Sequence, residues 1–339
     1  MLKSNTYINT TIKNIYSIKN SKTINIGYGL DNNYCRCTAT SIISFCKNNP
    51  NVNFSFHLLV EDLSSQNKKS FRLLAKSLQT NIIIYEVNIL SIKKLNLPIT
   101  SSWTLPMYFR FILPLILSTE NQLIYIDSDI ICLNNAQELF ELKLTDKDII
   151  GAVAEHSSPD IIKRCHSLGL INHKYFNSGV LIINIPKWNK YNVFSKLISH
   201  IKETPHKFIY PDQDALNLIL SNRVKYIDEK YNFLNYIYRD INKNHINFSN
   251  IILLHFAIHP KPWNIAWYLS PNCNKFNKDL YKSYEDLTPW KDTPLTYPNH
   301  YKEMKRYAKY LRWNKNYLKS FFWYFKYSIY KIIYIIKNI

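Results

Sequence analysis

Short apolar runs alternate with amphipathic stretches along most of the chain. Phe71, Leu74 and Leu78 recur at helical spacing, whereas the segment 81–87 (NIIIYEV) is apolar almost throughout. The pattern predicts strands at 23–30, 52–60 and 81–87, helices at 33–48 and 67–78, and further apolar runs at 122–126, 148–153, 179–185 and 250–256. Alternating strands and helices are typical of an α/β domain with a mainly parallel sheet. We place that domain at 22–270, after an N-terminal extension at 1–21.

The last part of the chain has a different composition. Residues 271–299 contain four prolines, which indicates an irregular connection. Residues 301–339 contain ten Lys or Arg and a single acid, Glu303. We therefore predict a small, helical, basic and aromatic C-terminal domain at 271–339.

A helix at 318–337 would be amphipathic. Lys319, Lys326 and Lys337 would fall within about 20° of one line, with Lys315 close beside them, and phenylalanine and isoleucine would cover the rest of the surface. This pattern is typical of a helix that lies in the headgroup region of a membrane. Two other interpretations are a helix that packs its apolar face on the α/β domain and a nucleic-acid-binding arm. The dense Ile and Phe at helical spacing argue against the arm.

The composition favours some classes of protein function and argues against others. The net charge of +19 indicates an anionic partner, which could be nucleic acid, an acidic membrane surface or a phosphorylated substrate. The five glycines form neither a GxGxxG nor a P-loop motif, which argues against dinucleotide oxidoreductases and P-loop NTPases. The N-terminus lacks the apolar core of a signal peptide, and no uncharged apolar run reaches about 18 residues. We expect a cytoplasmic protein.

Candidate chemistry follows the apolar run at 122–126. Asp127 and Asp129 stand one residue apart where this predicted strand ends, so their carboxylates can converge on one divalent cation. Oxygen ligands suit Mg²⁺ or Mn²⁺, which in turn neutralise a diphosphate. His255 ends another apolar run and could complete a mixed shell, and Lys261 could reach the phosphates. The simpler interpretations are a chance acidic pair in a loop and a polar core histidine.

Six ordered segments resemble the family-8 retaining glycosyltransferases, specifically the bacterial lipopolysaccharide core glucosyl- and galactosyltransferases. They are NIGYGLDNNY (25–34), PMYFR (106–110), YIDSD (125–129), YFNSGVLIIN (175–184), PDQDALN (211–217) and HFAIHPKPW (255–263). In addition, 289–291 (PWK) and 301–311 (YKEMKRYAKYL) are similar to the family's small C-terminal domain, so the resemblance spans about 22–325. It implies a nucleotide-diphospho-sugar transferase domain of GT-A-like fold.

The resemblance also implies roles for single residues. The implied UDP-binding residues are Gly27, Asp31, Asn33, Asp127 and Lys261, with Asp31 and Asn33 on the uracil and ribose and Lys261 on a phosphate. The implied ligands for Mn²⁺ (or Mg²⁺) are Asp127, Asp129 and His255. The residues implied around the transferred hexose are Arg110, Asn177, Asp212 and Gln213.

The resemblance also implies that the anomeric configuration is retained. Retention needs either a covalent intermediate or attack on the same face of the sugar from which the leaving group departs. Gln213 lies where a nucleophile would be sought, but a neutral amide is a poor nucleophile, while Asp212 and Asp214 beside it are carboxylates. We favour front-face attack, in which a phosphate oxygen of the leaving group takes the acceptor proton. Asp212 also has a simpler interpretation as a helix N-cap.

Two positions depart from the family's pattern. Ile258 stands three residues after His255, where relatives usually carry glycine, and Glu155 stands where an aspartate is common. Neither departure removes an implied metal ligand, so we expect an active enzyme.

We predict an Mn²⁺-dependent transferase that moves glucose or galactose from a UDP-sugar to the lipopolysaccharide core. It would work on the inner face of the cytoplasmic membrane, where a phosphorylated, lipid-anchored acceptor and an anionic surface account for the basic charge. The alternatives are the same donor chemistry on a capsule lipid or glycoprotein, and an inactive transferase that serves as a membrane-bound interaction protein. We expect no specific nucleic-acid partner.

Overall fold

The computed structural model describes residues 6–17, 22–99, 104–170, 174–204, 208–235, 248–257, 260–269 and 275–337. It divides the chain into two compact units, Met1–Phe233 with Asn247–His255, and Leu234–Ile246 with Phe256–Ile339. The strands are β1 (Ile8–Asn14), β2 (Ile24–Leu30), β3 (Phe54–Val60), β4 (Asn81–Val87), β5 (Gln122–Ile126), β6 (Ile130–Cys132), β7 (Ile150–Ala154), β8 (Phe176–Asn184), β9 (Val224–Ile227), β10 (Phe233–Leu234) and β11 (Leu253–His255). The helices are α1 (Cys35–Asn48), α2 (Ser65–Leu78), α3 (Ile89–Lys93), α4 (Phe109–Ile116), α5 (Gln137–Phe140), α6 (Pro159–Leu168), α7 (Ile185–Lys190), α8 (Val193–Glu203), α9 (Pro211–Leu220), α10 (Lys275–Glu285), α11 (Tyr301–Trp313) and α12 (Tyr317–Lys337). The domain boundaries at 22 and 270 stay predictions.

An eight-stranded sheet lies at the centre of the first unit. Its order is β1-β4-β3-β2-β5-β8-β7-β9. The neighbours β4, β3, β2 and β5 run parallel, as do β7 and β9, while β1 and β8 are antiparallel to the strands they pair with. All of β3 is buried, which is the pattern of a parallel strand covered on both faces. The described residues thus form the mainly parallel sheet that the apolar runs predict.

The predicted first helix starts two residues later than its sequence pattern indicates. The Asp31 carboxylate accepts hydrogen bonds from the backbone N–H groups of Asn33, at 2.8 Å, and Tyr34, at 3.2 Å. This cap holds a 3₁₀ turn over Asn32–Tyr34, and α1 follows from Cys35. Asp31 is thereby fixed at the carboxyl end of β2.

Residues 8–14, which the sequence pattern places in an N-terminal extension, form the edge strand β1. It pairs antiparallel with β4, from Ile8 opposite Val87 to Asn14 opposite Ile82. Most of its side chains are exposed or half-buried, and four of its seven residues are polar threonines and asparagines. An exposed edge strand of this kind has no apolar run from which to predict it.

Two strand registers bring distant segments to one edge of the sheet. Ile126 at the end of β5 pairs with Val180 in the middle of β8, and Asp127 N–H then donates to the Gly179 carbonyl at 2.8 Å. In a separate short sheet, β11 runs antiparallel to β6 and places His255 opposite Ile130. The residues that follow β5, begin β8 and end β11 therefore lie side by side.

In the second unit, α12 packs on α11 through an aromatic and aliphatic cluster. The buried members are Met304, Tyr307, Ala308, Leu311 and Trp323. Tyr307 and Trp323 meet edge to face with ring centroids 5.2 Å apart, and Ser320 Oγ donates to the Ala308 carbonyl at 2.8 Å. One face of α12 is thus committed to its neighbour.

The other face of α12 carries large apolar side chains that remain in contact with solvent. Leu318 is 88% exposed, Phe321 75% and Phe325 59%, and the exposed isoleucines extend this face to the last turns of the helix. Lys315 does not lie on α12, because it occupies the preceding turn with φ of 59°. None of the described helices combines the length and the apolar character needed to cross a bilayer.

Gly29 is required by a close approach of backbones. A Cβ at this position of β2 would lie 2.6 Å from the Pro106 carbonyl oxygen and 2.9 Å from Phe109 Cβ. We expect Gly29→Ala to lower the free energy of unfolding by about 1–3 kcal/mol, because backbone must move to relieve the clash.

Urea unfolding measures this loss. Gly151→Ala is the matched control, since its Cβ would meet the flexible Leu142 side chain at 3.2 Å and should cost less. Equal stability of the Gly29→Ala variant and the wild type would contradict the prediction.

Candidate active site

The two predicted metal carboxylates lie in the turn between β5 and β6. Ile130 N–H donates to the Asp127 carbonyl at 3.2 Å, which closes the turn. Between the two acids, Ser128 Oγ accepts a hydrogen bond from Thr38 Oγ1 of α1 at 2.9 Å. The turn is therefore anchored from both sides, and the Asp127 and Asp129 side chains extend from a fixed backbone.

Asp127, Asp129 and His255 form a cluster with the donor set of a divalent-cation site. One ligand atom from each residue lies within 4.8 Å of the others, and His255 Nε2 is 3.2 Å from Asp129 Oδ1. His255 is 4% exposed, at the end of β11. Two carboxylates with one imidazole suit a divalent ion such as Mg²⁺ or Mn²⁺.

Gly179 provides the space for the histidine ring. A Cβ at Gly179 would lie 2.5 Å from His255 Cε1 and 2.9 Å from its Nδ1. Both atoms belong to a rigid ring that is buried on all sides, so the ring could not rotate away without leaving the cluster. The absence of a side chain at Gly179 is thus a condition for this position of His255.

Arg110 connects the cluster of Asp127, Asp129 and His255 to residues predicted to surround the hexose. Its guanidinium donates to Asp127 Oδ1 at 2.9 Å and to Ser178 Oγ at 2.6 Å, and lies 3.2 Å from the Asp212 carboxylate. Its Nε donates to the Met107 carbonyl. Burial opposes the charge, but the carboxylates of Asp127 and Asp212 outweigh it and raise the pKa of Arg110 above its ordinary value. Arg110 is therefore a buried cation that holds two acids together.

Asp212 and Gln213 lie in the first turn of α9, beside Ser178. Asp212 is 4% exposed, and burial raises the pKa of its carboxyl while the Arg110 charge acts against that shift. Gln213 Oε1 accepts the Ser178 backbone N–H at 3.0 Å, so the amide has a fixed orientation. The structure therefore brings Arg110, Asp212 and Gln213 together, as the sequence predicts, around a serine.

Asp214 is separated from these residues by its own set of donors. Arg164 Nε donates to its carboxylate at 2.8 Å and Tyr175 Oη at 2.6 Å, and the backbone N–H groups of Ile209 and Tyr210 contribute two more hydrogen bonds. It is fully buried. A carboxylate whose lone pairs are used in this way anchors α9 rather than serving as a nucleophile.

A cavity of about 170 Å³ lies at the carboxyl end of β2, next to the carboxylate cluster. The residues that line it are Gly29, Leu30, Asp31, Tyr34, Thr104, Pro106, Met107, Arg110, Tyr125, Asp127, Ser128 and Asp129. Asp31 of the predicted UDP site is among them. Gly27 is not; it lies in mid-strand, where an added Cβ would meet the Leu123 and Leu113 side chains at 2.9 and 3.0 Å. Asn33 also lies outside this lining, in the 3₁₀ turn behind Asp31.

Asn177 is the second residue of β8 and contacts Glu155, one of the two positions that depart from the family's pattern. Its Nδ2 donates to Glu155 Oε1 at 3.0 Å, and its Oδ1 accepts the Gly179 N–H at 2.9 Å. Lys261 belongs to the second unit, where it is 3% exposed and its Nζ donates to the Phe256 carbonyl. Ile258 lies outside the described residues.

Sequence patterns did not single out Ser178, Arg164 or Asn232. Ser178 stands inside the segment YFNSGVLIIN, which was the one available signal. Asn232 contacts His255 and follows an isolated 3₁₀ turn, where neither periodicity nor spacing marks it. Arg164 sits on α6, 50 residues before the acid that it binds.

A model of the family described as "Glycosyl transferase family 8" matches residues 25–266, and one described as "Glycosyl transferase family 8 C-terminal" matches 278–331. The chain belongs to glycosyl transferase family 8. Among its relatives in the family, the lipopolysaccharide 1,3-galactosyltransferase of Salmonella typhimurium is 31% identical over 318 residues, 91% of each chain. The lipopolysaccharide glucosyltransferase WaaO of Escherichia coli is 32% identical over 317 residues, again 91% of each chain.

The fold is also shared with solved structures. The galactosyltransferase LgtC, crystallised with donor and acceptor sugar analogues, superposes with a TM-score of 0.66 at 19% identity and covers 79% of this chain and 99% of its own. At that identity the likeness shows the fold alone. The resemblance to family 8 and the GT-A-like α/β fold expected from the sequence are confirmed, and the chain is a glycosyltransferase.

Gly179→Ala tests the geometry of the carboxylate–histidine cluster. We expect it to weaken Mn²⁺ binding by at least about tenfold, because the added methyl displaces a ligand ring. Electron paramagnetic resonance of free Mn²⁺ during a titration measures the affinity.

Gly151→Ala in the neighbouring β7 serves as the control and should bind as the wild type does. The prediction is wrong if Gly179→Ala folds and keeps the wild-type affinity.

Proposed function

We propose that this chain is a metal-dependent retaining hexosyltransferase that moves glucose or galactose from a UDP-sugar to the core oligosaccharide of lipopolysaccharide. The observation that carries the proposal is the cluster of Asp127, Asp129 and His255, set at the end of β5 beside Arg110 and Gln213. The relatives of similar length are lipopolysaccharide galactosyl- and glucosyltransferases, which supports the choice of hexose and acceptor.

The nucleotide is assigned to the cavity at the end of β2. Asp31 lines it and is held by its N-cap hydrogen bonds, so its carboxylate is positioned for the uracil, and Asn33 is assigned to the ribose. The aromatic ring of Tyr34 adds an apolar wall. On the resemblance alone, we assign Lys261 to a phosphate and Gly27 to the UDP site.

The diphosphate is assigned to the carboxylate cluster. Asp127, Asp129 and His255 would hold Mn²⁺, or Mg²⁺ in its place. When bound, the cation neutralises negative charge on the departing diphosphate. Arg110 fixes the direction of the Asp127 carboxylate, because its guanidinium donates a hydrogen bond to Oδ1 at 2.9 Å.

The hexose is assigned to the space between Asn177, Asp212 and Gln213. Hydrogen bonds hold each of these side chains, so they can orient sugar hydroxyls without reorganising. Because Asp212 is paired with Arg110, and Asp214 has its own donors, neither is a free nucleophile. This supports front-face chemistry, in which the acceptor hydroxyl oxygen bonds to the anomeric carbon as the bond to UDP breaks, and a phosphate oxygen takes the proton.

The C-terminal region at 271–339 is assigned to the inner surface of the cytoplasmic membrane. The exposed face of α12 is apolar, and Lys319 and Lys326 border it. Apolar side chains enter the acyl boundary while lysines reach anionic headgroups. An acceptor anchored in the same bilayer then diffuses in two dimensions to the enzyme.

Donor hydrolysis and transfer assays test the reaction. We expect purified protein to release UDP from UDP-glucose or UDP-galactose only with Mn²⁺ present, and more rapidly when lipopolysaccharide core acceptor is added. Asp129→Ala should reduce the rate at least about a hundredfold, because it removes a charged ligand of the cation.

Asp160→Ala, an exposed acid on α6, is the control and should leave the rate unchanged. Full activity of Asp129→Ala would contradict the proposal. UDP binding without release from any donor would favour the inactive interaction protein, and labelling of a capsule lipid or glycoprotein would replace the acceptor.

Vesicle sedimentation tests the membrane assignment. We expect binding to phosphatidylglycerol vesicles, weaker at high salt, and a loss of at least about tenfold in the double variant Phe321→Ser, Phe325→Ser, since each buried phenylalanine contributes roughly 1.5–3 kcal/mol. Phe276→Ser on α10 removes a comparably exposed phenylalanine and is the control. Unchanged binding of the double variant would exclude α12 as the membrane contact.

A further inference from the structure

Asn232 is a buried polar residue that contacts the metal cluster and the hexose site at once. It is 2% exposed and follows the 3₁₀ turn Glu229–Tyr231. Its Oδ1 lies 2.8 Å from His255 Nδ1, and its Nδ2 donates to Asn177 Oδ1 at 2.8 Å. We propose that Asn232 is a positioning residue that fixes the tautomer and direction of His255, so that Nε2 is the ligand atom. The inference rests on the proposed metal-dependent function.

The direction of each amide follows from one backbone group. Gly179 N–H lies 2.9 Å from the Asn177 side chain, and because a backbone N–H can only donate, the Asn177 atom that it meets is the oxygen. The Asn232 atom that faces this oxygen must then be a donor, which is Nδ2. Its Oδ1 is left facing His255, and only an N–H at Nδ1 of the ring can donate to it.

When the imidazole is neutral, its single ring hydrogen is the one at Nδ1, and Nε2 of His255 then keeps its lone pair. That nitrogen is 3.2 Å from Asp129 Oδ1, which is also an acceptor. Two acceptors that face each other with no hydrogen between them are arranged to share a cation. Metal-binding histidines in general donate their second N–H to a carbonyl or carboxylate oxygen, and Asn232 supplies that oxygen.

The same hydrogen bonds join the metal ligand to the hexose residues. Asn177 Nδ2 donates to Glu155 Oε1 at 3.0 Å, so a continuous series runs from Glu155 through Asn177 and Asn232 to His255. Asn232 therefore contacts both His255, a proposed metal ligand, and Asn177, a residue assigned to the hexose.

The tautomer itself is the first test, and it needs neither metal nor activity. In metal-free wild-type protein at about pH 8.5, above the ordinary histidine pKa, ¹⁵N chemical shifts report which ring nitrogen carries hydrogen. His255→Gln identifies the signals. We expect hydrogen on Nδ1 alone. Hydrogen on Nε2, or on both nitrogens, would overturn the proposal.

The second test measures Mn²⁺ affinity by titration with electron paramagnetic resonance. Asn232→Leu should bind about 10–100-fold more weakly than the wild type. Asn232→Asp keeps an acceptor for Nδ1–H but loses the donor to Asn177 Oδ1, so it should bind more tightly than Asn232→Leu. Lys230→Ala removes an exposed ion pair from the same 3₁₀ turn and is the matched control. Asn232→Ala, with the same expected loss, replaces the leucine variant if that variant does not fold.

The outcomes separate the two proposals. Wild-type affinity in folded Asn232→Leu would overturn the positioning role and leave the metal site in place. Loss of affinity in Asn232→Asp equal to that in Asn232→Leu would also overturn it, because the acceptor would then be irrelevant. Absence of Mn²⁺ binding by the wild type would instead refute the proposed function, and the tautomer measurement would still decide the role of Asn232.

Discussion

The site depends on one buried cation placed among acids. The carboxylates of Asp127, Asp129 and Asp212 converge on a small volume whose groups are largely removed from water, and only Arg110 lies between them as a permanent positive charge among the described groups of this site. Removing one partner of a buried ion pair typically costs about 3–5 kcal/mol, because the other charge is left uncompensated. When no ligand is bound, Arg110 therefore compensates the negative charge of these neighbouring acids. Its hydrogen bonds to Ser178 and Met107 tie this electrostatic role to the backbone of β8 and to the turn before α4.

Sequence patterns indicate candidate site residues where a polar residue ends or follows an apolar run. Asp127 and His255 could be predicted because each follows residues that are buried in strands, and buried strands are visible as uninterrupted apolar segments. A matching segment does not by itself show which of its residues line the cavity, since Gly29 does so and Gly27, two residues earlier, does not. Asn232 could not be found in this way, because its partners are chosen by tertiary pairing and its own turn has no periodic signal. The edge strand β1 was missed for a related reason, as its exposed residues are polar.

In the second unit, α12 has one face packed on α11 and one face exposed to solvent. Trp323 and Ser320 face α11, and the opposite face presents Phe321 and Phe325 to solvent. Because Trp323, Tyr324 and Tyr327 supply the packing on this side, the exposed phenylalanines and isoleucines are not needed for the contact with α11. In the proposed membrane contact, the basic residues of α11 and α12 would meet the same surface as this apolar face, and both kinds of residue are concentrated in the same 39 residues, 301–339.

Near the start of β8, the adjacent residues Asn177 and Ser178 contact different polar groups. Successive side chains of a strand point to opposite faces of the sheet. Asn177 points to Asn232 and Glu155, whereas Ser178 points to Arg110 and Gln213, so adjacent residues serve two separate polar networks. If Asn177 and Ser178 were exchanged, a short serine hydroxyl would face Asn232 and Glu155, which the longer amide now reaches. The amide would then face Arg110 and Gln213, where the smaller hydroxyl now lies. The order of Asn177 and Ser178 along the chain is therefore constrained, and not only the presence of the two residue types.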